Sequence, residues 1–228
     1  MFDVDGTLTN GFYIVKFSEF LFKGDLFPKN NLKEIENSLS KYKKGKNYAY
    51  EQFAWDLINA FGEGIKGRNK ENISKLADKY MKENREDKFE FTDSLVKLVK
   101  QEGYTPIIIS GSPAEIITPF AKSLGIKASF ATTYEIENGI FTGKVLRNCA
   151  LESEKKKAFH VYCKSHEVDL EKSAGFGDSH HDLAFLNEVG FPVAVNPNEK
   201  LKQIAIGKGW LVCEDNGKVL SQTKKYLP

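Results

Sequence analysis

The sequence is poor in cysteine and lacks long apolar runs. Three cysteines stand among 228 residues at wide spacing, which fits neither a disulfide framework nor a Cys-x-x-Cys metal site. No apolar run approaches the ~20 residues of a membrane-spanning helix, and the start lacks the basic and apolar regions of a secretory signal. We therefore expect a cytoplasmic protein without stable membrane insertion.

Arginine is also scarce, with three residues against a large excess of lysine, and the formal net charge is only +2. The lysines are scattered among acidic residues and form no basic stripe, so the sequence indicates no nucleic-acid partner. Hydrophobic residues make up 41% and charged residues 28% of the chain, which is a globular composition. The length suits one domain with a sizeable insertion, or two small domains.

Apolar residues recur at helical spacing through the first third of the chain. This pattern predicts four helices, whose apolar faces run from Phe12 to Leu21, Leu32 to Tyr42, Tyr50 to Phe61 and Ile73 to Met81. The region is rich in aromatic residues and includes Trp55. Aromatic residues at helical spacing usually belong to a core, so we interpret them as core residues instead of a lipid-facing or cofactor-binding surface.

From about residue 91, helices alternate with short apolar runs, which indicates parallel strands joined by crossovers. The predicted strands cover residues 105–109, 174–178, 192–196 and 210–213, with helices at 113–124, 154–166 and 180–189 and short extended segments between 128 and 147. We predict an α/β fold: a Rossmann-like parallel sheet with helices on both faces, plus an inserted all-helical cap. The core would comprise residues 1–9 and 88–228, and the cap residues 10–87.

Two carboxylates stand two residues apart at the start of the chain, in the stretch Asp3-Val4-Asp5-Gly6-Thr7. A strand presents residues i and i+2 on one side, so Asp3 and Asp5 would face one cavity, and Gly6 permits the turn that follows. Such a pair needs a cation or a shared proton. An acidic surface turn is the alternative. A calcium loop does not fit, because no further acidic ligand follows at the required spacing.

Three later stretches offer complementary groups. Ser110-Gly111-Ser112 ends a predicted strand, and Ser112 followed by Pro113 predicts a helix N-terminus whose free N–H groups suit a phosphate, although any strand-to-helix turn uses such residues. Lys155 begins a lysine triplet at another helix start, where one ammonium group would turn toward an anion and the others would be solvated.

The third stretch, Gly177-Asp178-Ser179-His180-His181-Asp182, places two carboxylates within one helical turn. Asp178 together with Asp3 would suit a hard cation such as Mg²⁺. A zinc or nickel site on the two histidines does not fit, because adjacent side chains on a helix diverge and no third histidine has suitable spacing.

In their order along the chain, D-x-D-G-T, S-G-S-P, the lysine and G-D-S-x-x-D resemble the motifs of the haloacid dehalogenase-like phosphohydrolases. More narrowly, the chain is similar to the phosphoserine phosphatase-like branch, whose cap lies between the first and second motifs. The resemblance extends over nearly the whole chain, although the cap matches only loosely. It implies that Asp3 is the nucleophile, that Asp5 is the general acid and then base, and that Ser110, Gly111 and Lys155 bind the phosphate.

The resemblance also implies a magnesium ion. Its ligands would be the carboxylates of Asp3 and Asp178 and the backbone carbonyl of Asp5, with Thr7 and Asp182 in supporting roles.

Some residues depart from the branch's pattern. Phe12 occupies the seventh position after Asp5, where phosphoserine phosphatases carry an acidic residue that pairs with the substrate ammonium group. The cap shows no evident arginine for a substrate carboxylate, since Arg68 and Arg85 lie in polar stretches. His181 stands where relatives have a small or amide residue. Only two residues precede Asp3, so either the central strand is short or the natural start lies upstream.

The sequence thus predicts a Mg²⁺-dependent phosphatase that hydrolyses a small phosphorylated metabolite through an aspartyl-phosphate. With Phe12 as the candidate specificity residue, we expect a leaving group less polar than serine. The alternatives are phosphoserine phosphatase, a phosphotransferase or mutase, a lipid-phosphate phosphatase, and a phosphate-binding module without catalysis.

Overall fold

The computed structural model describes residues 1–45, 48–214 and 216–228. The strands are β1 Ile107–Pro113, β2 Ala128–Glu137, β3 Ile140–Arg147, β4 Ala174–Gly177, β5 Phe191–Val195 and β6 Leu211–Cys213. The helices are α1 Tyr13–Lys23, α2 Lys29–Lys44, α3 Tyr50–Ile65, α4 Lys70–Glu83, α5 Thr92–Gln101, α6 Ala114–Ser123, α7 Glu152–His166, α8 Leu183–Leu186, α9 Glu199–Gly207 and α10 Val219–Tyr226.

Parallel pairing joins β1 to β2, β4 to β5 and β5 to β6, while β2 and β3 form an antiparallel hairpin. The start of the chain lies between β1 and β4 and connects the two ladders. The Phe2 amide donates to the Ile107 carbonyl and the Asp3 amide to the Phe176 carbonyl, each over 2.9 Å. The predicted parallel sheet with helices around it is therefore confirmed, with a very short central segment.

The four predicted helices of the first third are confirmed as α1 to α4. The segments that lead into and out of this helical block lie side by side. The Asn10 amide donates to the Asp87 carbonyl over 2.9 Å, and the Phe89 amide donates to the Leu8 carbonyl over 3.1 Å. The boundaries of the cap, residues 10–87, stay a prediction. Within the described parts of the chain, no helix has both the length and the apolar character needed to cross a membrane.

Two helix predictions need correction. The expected helix at residues 180–189 is a single 3₁₀ turn, His180–Asp182, followed by the four-residue helix α8, because Ser179 and Asp182 cap each other's backbone amides and tighten the turn. Ser112 does not cap α6. Pro113 holds the cap position, and Ser112 lies inside β1 with its hydroxyl turned elsewhere. The apolar pattern does not predict helices α9 and α10.

The interpretation of the cap aromatics as core residues is correct for several of them and wrong for others. Phe17, Phe61 and Tyr80 are buried, and Phe17 contacts the other two rings edge-on or at a tilt. Trp55 is 39% exposed, because it lies on the outer face of α3. Further aromatic residues line a cavity, described below.

Candidate active site

Asp3 and Lys155 form a buried ion pair at the carboxyl end of the central segment. Lys155 Nζ lies 2.6 Å from Asp3 Oδ1 and 2.6 Å from Asp182 Oδ1, and all three side chains are at most 5% exposed. Burial raises the pKa of Asp3, and the nearby ammonium group of Lys155 opposes this rise. Burial alone would lower the pKa of Lys155, but the Asp182 and Asp3 carboxylates outweigh it and raise that pKa. The ammonium group therefore stays charged between the two acids.

Asp5 is held apart from this pair by its own hydrogen bonds. Its Oδ1 accepts from the Tyr13 amide over 2.7 Å, and its Oδ2 accepts from the Ser112 hydroxyl over 2.7 Å and weakly from the Ser110 hydroxyl over 3.4 Å. Burial raises the pKa of Asp5, while the bonds from Tyr13 and Ser112 oppose this rise. The two carboxylates of the first motif thus have different surroundings, which suits different roles.

Asp178 and Asp182 complete an acidic cluster with Asp3. One carboxylate oxygen of each lies within 4.8 Å of the others. The Thr7 hydroxyl donates to Asp178 Oδ1 over 3.0 Å. Asp182 is already engaged on both sides, because Oδ1 binds Lys155 and Oδ2 accepts from the Asp178 and Ser179 amides over 3.1 and 2.9 Å. Burial, followed by the charges of Asp3 and Asp182, raises the pKa of Asp178.

The donor set of this cluster fits a hard divalent cation. Carboxylate oxygens are the ligands that Mg²⁺ prefers, and an ion between Asp3 and Asp178 would relieve the repulsion of two buried acids. Gly6 makes the close approach of Asp178 possible. It adopts φ +94°, and a Cβ atom there would lie 2.4 Å from Asp178 Oδ2. The positive φ angle and the close approach of Asp178 therefore both require glycine at this position.

The S-G-S stretch lies beside these acids, although its members face different ways. Gly111 and Ser112 line the cavity above the acids. Ser110 is fully buried behind them, and its hydroxyl oxygen accepts from the Ser112 amide over 3.1 Å. A hydrogen bond fixes the backbone of Gly111, since the Thr132 hydroxyl donates to its carbonyl over 2.7 Å. The structure therefore brings Asp3, Asp5, Gly111, Lys155 and Asp178 to one surface.

The cavity has a volume of about 250 Å³ and lies between this surface and the helices of the predicted cap. Its cap side consists of aromatic and aliphatic side chains, which are Phe12, Ile14, Tyr42, Tyr50, Phe53, Ala54, Leu57 and Ile58. A larger cavity of about 350 Å³ lies at the opposite end of β1 and β4, between Tyr104 and Tyr162. No acidic side chain of the described residues lines it, so the chemistry belongs to the smaller one.

Sequence reasoning missed Tyr42, Tyr50 and Phe53 as cavity residues, and it missed the Ser112 bond to Asp5. Tyr50 also stacks on His181, with ring centroids 3.6 Å apart. The three aromatic residues occupy the apolar faces of their helices. Their spacing is therefore the same as that of core residues, and the sequence pattern could not show that they line a cavity. Phe12, the candidate specificity residue, does line the cavity.

Comparison with known proteins identifies the family of the chain. The family model described as haloacid dehalogenase-like hydrolase matches residues 1–187. A putative hydrolase of Mycobacterium leprae is 28% identical over 212 residues, which cover 92% of this chain and 70% of the relative. A protein of Mycobacterium tuberculosis named as a phosphoserine phosphatase is 27% identical over 222 residues, covering 92% of this chain and 68% of the relative.

Solved structures show the same fold. A Bordetella pertussis protein of unknown function superposes with a TM-score of 0.79 at 19% identity, over 94% of this chain and 96% of that one. A phosphoserine phosphatase crystallised in its apo form superposes with a TM-score of 0.70 at 19% identity, over 100% of this chain and 97% of the other. The chain therefore belongs to the haloacid dehalogenase-like hydrolases, as a phosphatase-type member of that family.

Proposed function

We propose that this protein is a Mg²⁺-dependent phosphatase that hydrolyses a small phosphomonoester through an aspartyl-phosphate on Asp3. The observation that carries the proposal is the convergence of two differently held carboxylates, Asp3 and Asp5, with Lys155 and Asp178 in one cavity. A solved structure of a phospho-aspartyl intermediate analogue of phosphoserine phosphatase shares the fold, with a TM-score of 0.70.

Asp3 is suited to the nucleophilic step. Its Oδ1 is held by Lys155, so Oδ2 is the atom that would attack phosphorus. The new Oδ2–P bond forms as the bond from phosphorus to the leaving oxygen breaks. Lys155 keeps its proton because two carboxylates surround it, and its charge would stabilise the phosphoryl oxygens in the transition state.

Asp5 is suited to the proton transfers. Burial raises its pKa, so it can carry a proton and give it to the leaving oxygen. In the second half of the reaction it would take a proton from the water that attacks the aspartyl-phosphate, which releases phosphate and restores Asp3. The Ser112 and Tyr13 bonds fix its orientation throughout.

The phosphate would be bound by Lys155 and the Gly111 amide at the cavity surface, next to Ser112, with Ser110 as the third expected ligand directly behind them. Magnesium would be held by the carboxylates of Asp3 and Asp178 and by the Asp5 carbonyl, with Thr7 and Asp182 orienting this set. When bound, Mg²⁺ would neutralise charge on the phosphoryl group.

The helices between residues 10 and 87 would act as the cap that closes over the site, excludes water and selects the leaving group. Phe12 lines the cavity where phosphoserine phosphatases carry an acid, so the substrate would be less polar than phosphoserine. Phosphoserine itself is the second candidate, because the Mycobacterium tuberculosis relative carries the name of that activity.

The test is phosphate release from a panel of phosphomonoesters with Mg²⁺, repeated after chelation. We expect turnover that chelation abolishes and that Asp3→Asn reduces to background, with a phosphorylated peptide containing Asp3 trapped from the native enzyme. Asp169→Asn is a matched control, because Asp169 pairs with Lys172 at the surface, away from the cavity. Turnover that survives in Asp3→Asn would contradict the proposed nucleophile. Phosphate binding without any turnover would favour a non-catalytic module.

A further inference from the structure

The cavity also constrains the leaving group of the substrate, provided that the proposed phosphatase function holds. We propose that the leaving group is uncharged, apolar and about the size of one aromatic ring. The structure carries this inference through the chemistry of the cap side, the arrangement of its rings and the volume of the cavity.

Charge is confined to one side of the cavity. Its charged lining residues are Asp3, Asp5, Lys155 and Asp178, all on the side where phosphate would bind. Among the described residues, the cap side offers aromatic and aliphatic side chains, whose only polar groups are the uncharged hydroxyls of Tyr42 and Tyr50. A carboxylate on the leaving group would therefore lose its water without gaining a cationic partner, which is unfavourable. A primary ammonium group would likewise find no carboxylate on that side.

The rings of the cap side are fixed by contacts with one another. Tyr42 and Phe53 are stacked at 4.3 Å with an interplanar angle of 8°, and Phe12 meets Phe53 edge-on at 5.7 Å and 68°. Tyr50 is held from behind by its stack on His181. Because these rings pack against one another, the apolar surface exists before a ligand binds. Binding then does not cost the entropy of ordering these side chains.

The volume of the cavity is compatible with a leaving group of this size. The cavity holds about 250 Å³ in total. A protein cavity of about 150 Å³ lined by leucine, isoleucine and phenylalanine accommodates benzene. The space left after a phosphoryl group is placed against Asp3 and Lys155 is therefore sufficient for one ring.

A quaternary ammonium group is the other ligand that aromatic surfaces bind. Half of the cap side is aliphatic, however, being formed by Ile14, Ala54, Leu57 and Ile58. Aliphatic groups provide no negative ring face, so they favour a neutral ligand over a cation. This difference separates the two possibilities experimentally.

The experiment compares benzyl phosphate with esters that carry a para substituent, which is neutral in para-methylbenzyl phosphate and charged in para-carboxybenzyl and para-aminomethylbenzyl phosphate. The para-methyl ester separates the effect of charge from that of size. We expect kcat/KM for benzyl phosphate to exceed that of both charged esters by at least about tenfold, and to exceed that of phosphoserine similarly. Phosphocholine is compared with its carbon isostere, in which a tert-butyl group replaces trimethylammonium, and the isostere should be preferred. Preference for any charged ester over its neutral counterpart overturns the inference.

Substitutions test whether the cap side is responsible. In Phe53→Leu, the ratio of kcat/KM for benzyl phosphate to that for methyl phosphate should fall about tenfold. A ratio within one protein does not depend on the folded fraction. Trp55→Leu is the matched control, because Trp55 lies on the same helix but faces outward and does not line the cavity. An unchanged ratio in Phe53→Leu overturns the assignment.

Failure of this inference is distinguishable from failure of the proposed function. Turnover of phosphoserine or phosphocholine in preference to benzyl phosphate would leave the phosphatase proposal intact and overturn only the leaving-group assignment. Absence of turnover for every ester, including methyl phosphate, would overturn both.

Discussion

Tyr50 stacks on His181 with ring centroids 3.6 Å apart and an interplanar angle of 19°. Tyr50 is the first residue of α3, and His181 lies in the turn after β4 that carries the acidic cluster. His181 is buried, and its Nε2 has no hydrogen-bond partner among the described residues. The contact therefore joins the aromatic side of the cavity to its acidic side through ring packing alone.

Removing this stack should make the position of Tyr50 in the cavity wall less fixed, while all the acidic residues of the site are retained. We expect His181→Ala to cost about 0.5–1.5 kcal/mol of unfolding free energy and to raise KM, while His181→Phe retains most of both. Thermal unfolding and steady-state kinetics provide the measurement. His166→Ala is the control, because His166 makes a comparable stack with Tyr162 on an exposed stretch of α7. Equal KM values for His181→Ala and His166→Ala would show that the stack does not position Tyr50.

The sequence predicts the acidic side of this site well because a strand end fixes where its residues go. Asp3, Gly111 and Asp178 each follow an apolar run, and the carboxyl ends of parallel strands meet at one edge of a sheet. The alternation of strands and helices and the helical spacing before residue 81 need only local patterns, and the structure confirms both.

The aromatic side could not be predicted in the same way. Helical periodicity shows which face of a helix is apolar, but not whether that face meets a core or a cavity. Phe53 and Phe61 have equivalent spacing in α3, yet only Phe53 lines the cavity. Ser112 shows a second limit. Its local pattern is that of a helix cap, and the competing acceptor, Asp5, lies 107 residues away in sequence.

Replacing Lys155 by methionine should be costly for both stability and activity. The change leaves Asp3 and Asp182 buried without their shared cation, which costs about 3–5 kcal/mol. Phosphatase activity should fall at least about a hundredfold, because a donor to the phosphoryl oxygens is lost.

The matched control for this change is Lys156→Met. Lys156 is the next residue, but its side chain is 53% exposed and pairs with Glu188 over 3.1 Å at the surface. Its replacement should change stability by less than about 0.5 kcal/mol. Urea unfolding of both variants near neutral pH measures the difference. Similar losses in the two variants would contradict the structural role assigned to Lys155.

Gly6→Ala tests the close approach of Asp178. The new Cβ would lie 2.4 Å from Asp178 Oδ2, so this carboxylate must move. Under the proposed metal site, we expect the Mg²⁺ concentration for half-maximal activity to rise at least about tenfold. Gly67→Ala isolates backbone strain, because Gly67 has φ +75° and a Cβ added there would meet no described atom within 4 Å. It should cost about 1 kcal/mol and leave the Mg²⁺ dependence unchanged. A shift of equal size in both variants would point to strain alone.

Glu115→Gln should change how stability depends on pH. Burial raises the pKa of Glu115 from 4.5 to about 7, against opposing contributions from its own backbone amide and from Lys70. Its Oε2 is enclosed without a hydrogen-bond partner among the described residues. Between these two pKa values the unfolded chain has released the proton and the folded chain retains it. Raising the pH through this window therefore lowers the free energy of unfolding of the unsubstituted protein. The Glu115→Gln variant has no carboxyl group at this position and does not lose this stability.

The stability gain from Glu115→Gln should thus be absent below pH 4.5 and complete above about pH 7. We expect a gain of about 1–2 kcal/mol there, less than the full shift would imply because the residue is partly exposed. Urea unfolding across this pH range measures it. Glu71→Gln, an exposed change in α4, should follow the native curve at every pH. A gain from Glu115→Gln that is equal at all pH values would come from packing, and it would exclude a proton held by Glu115 as the cause.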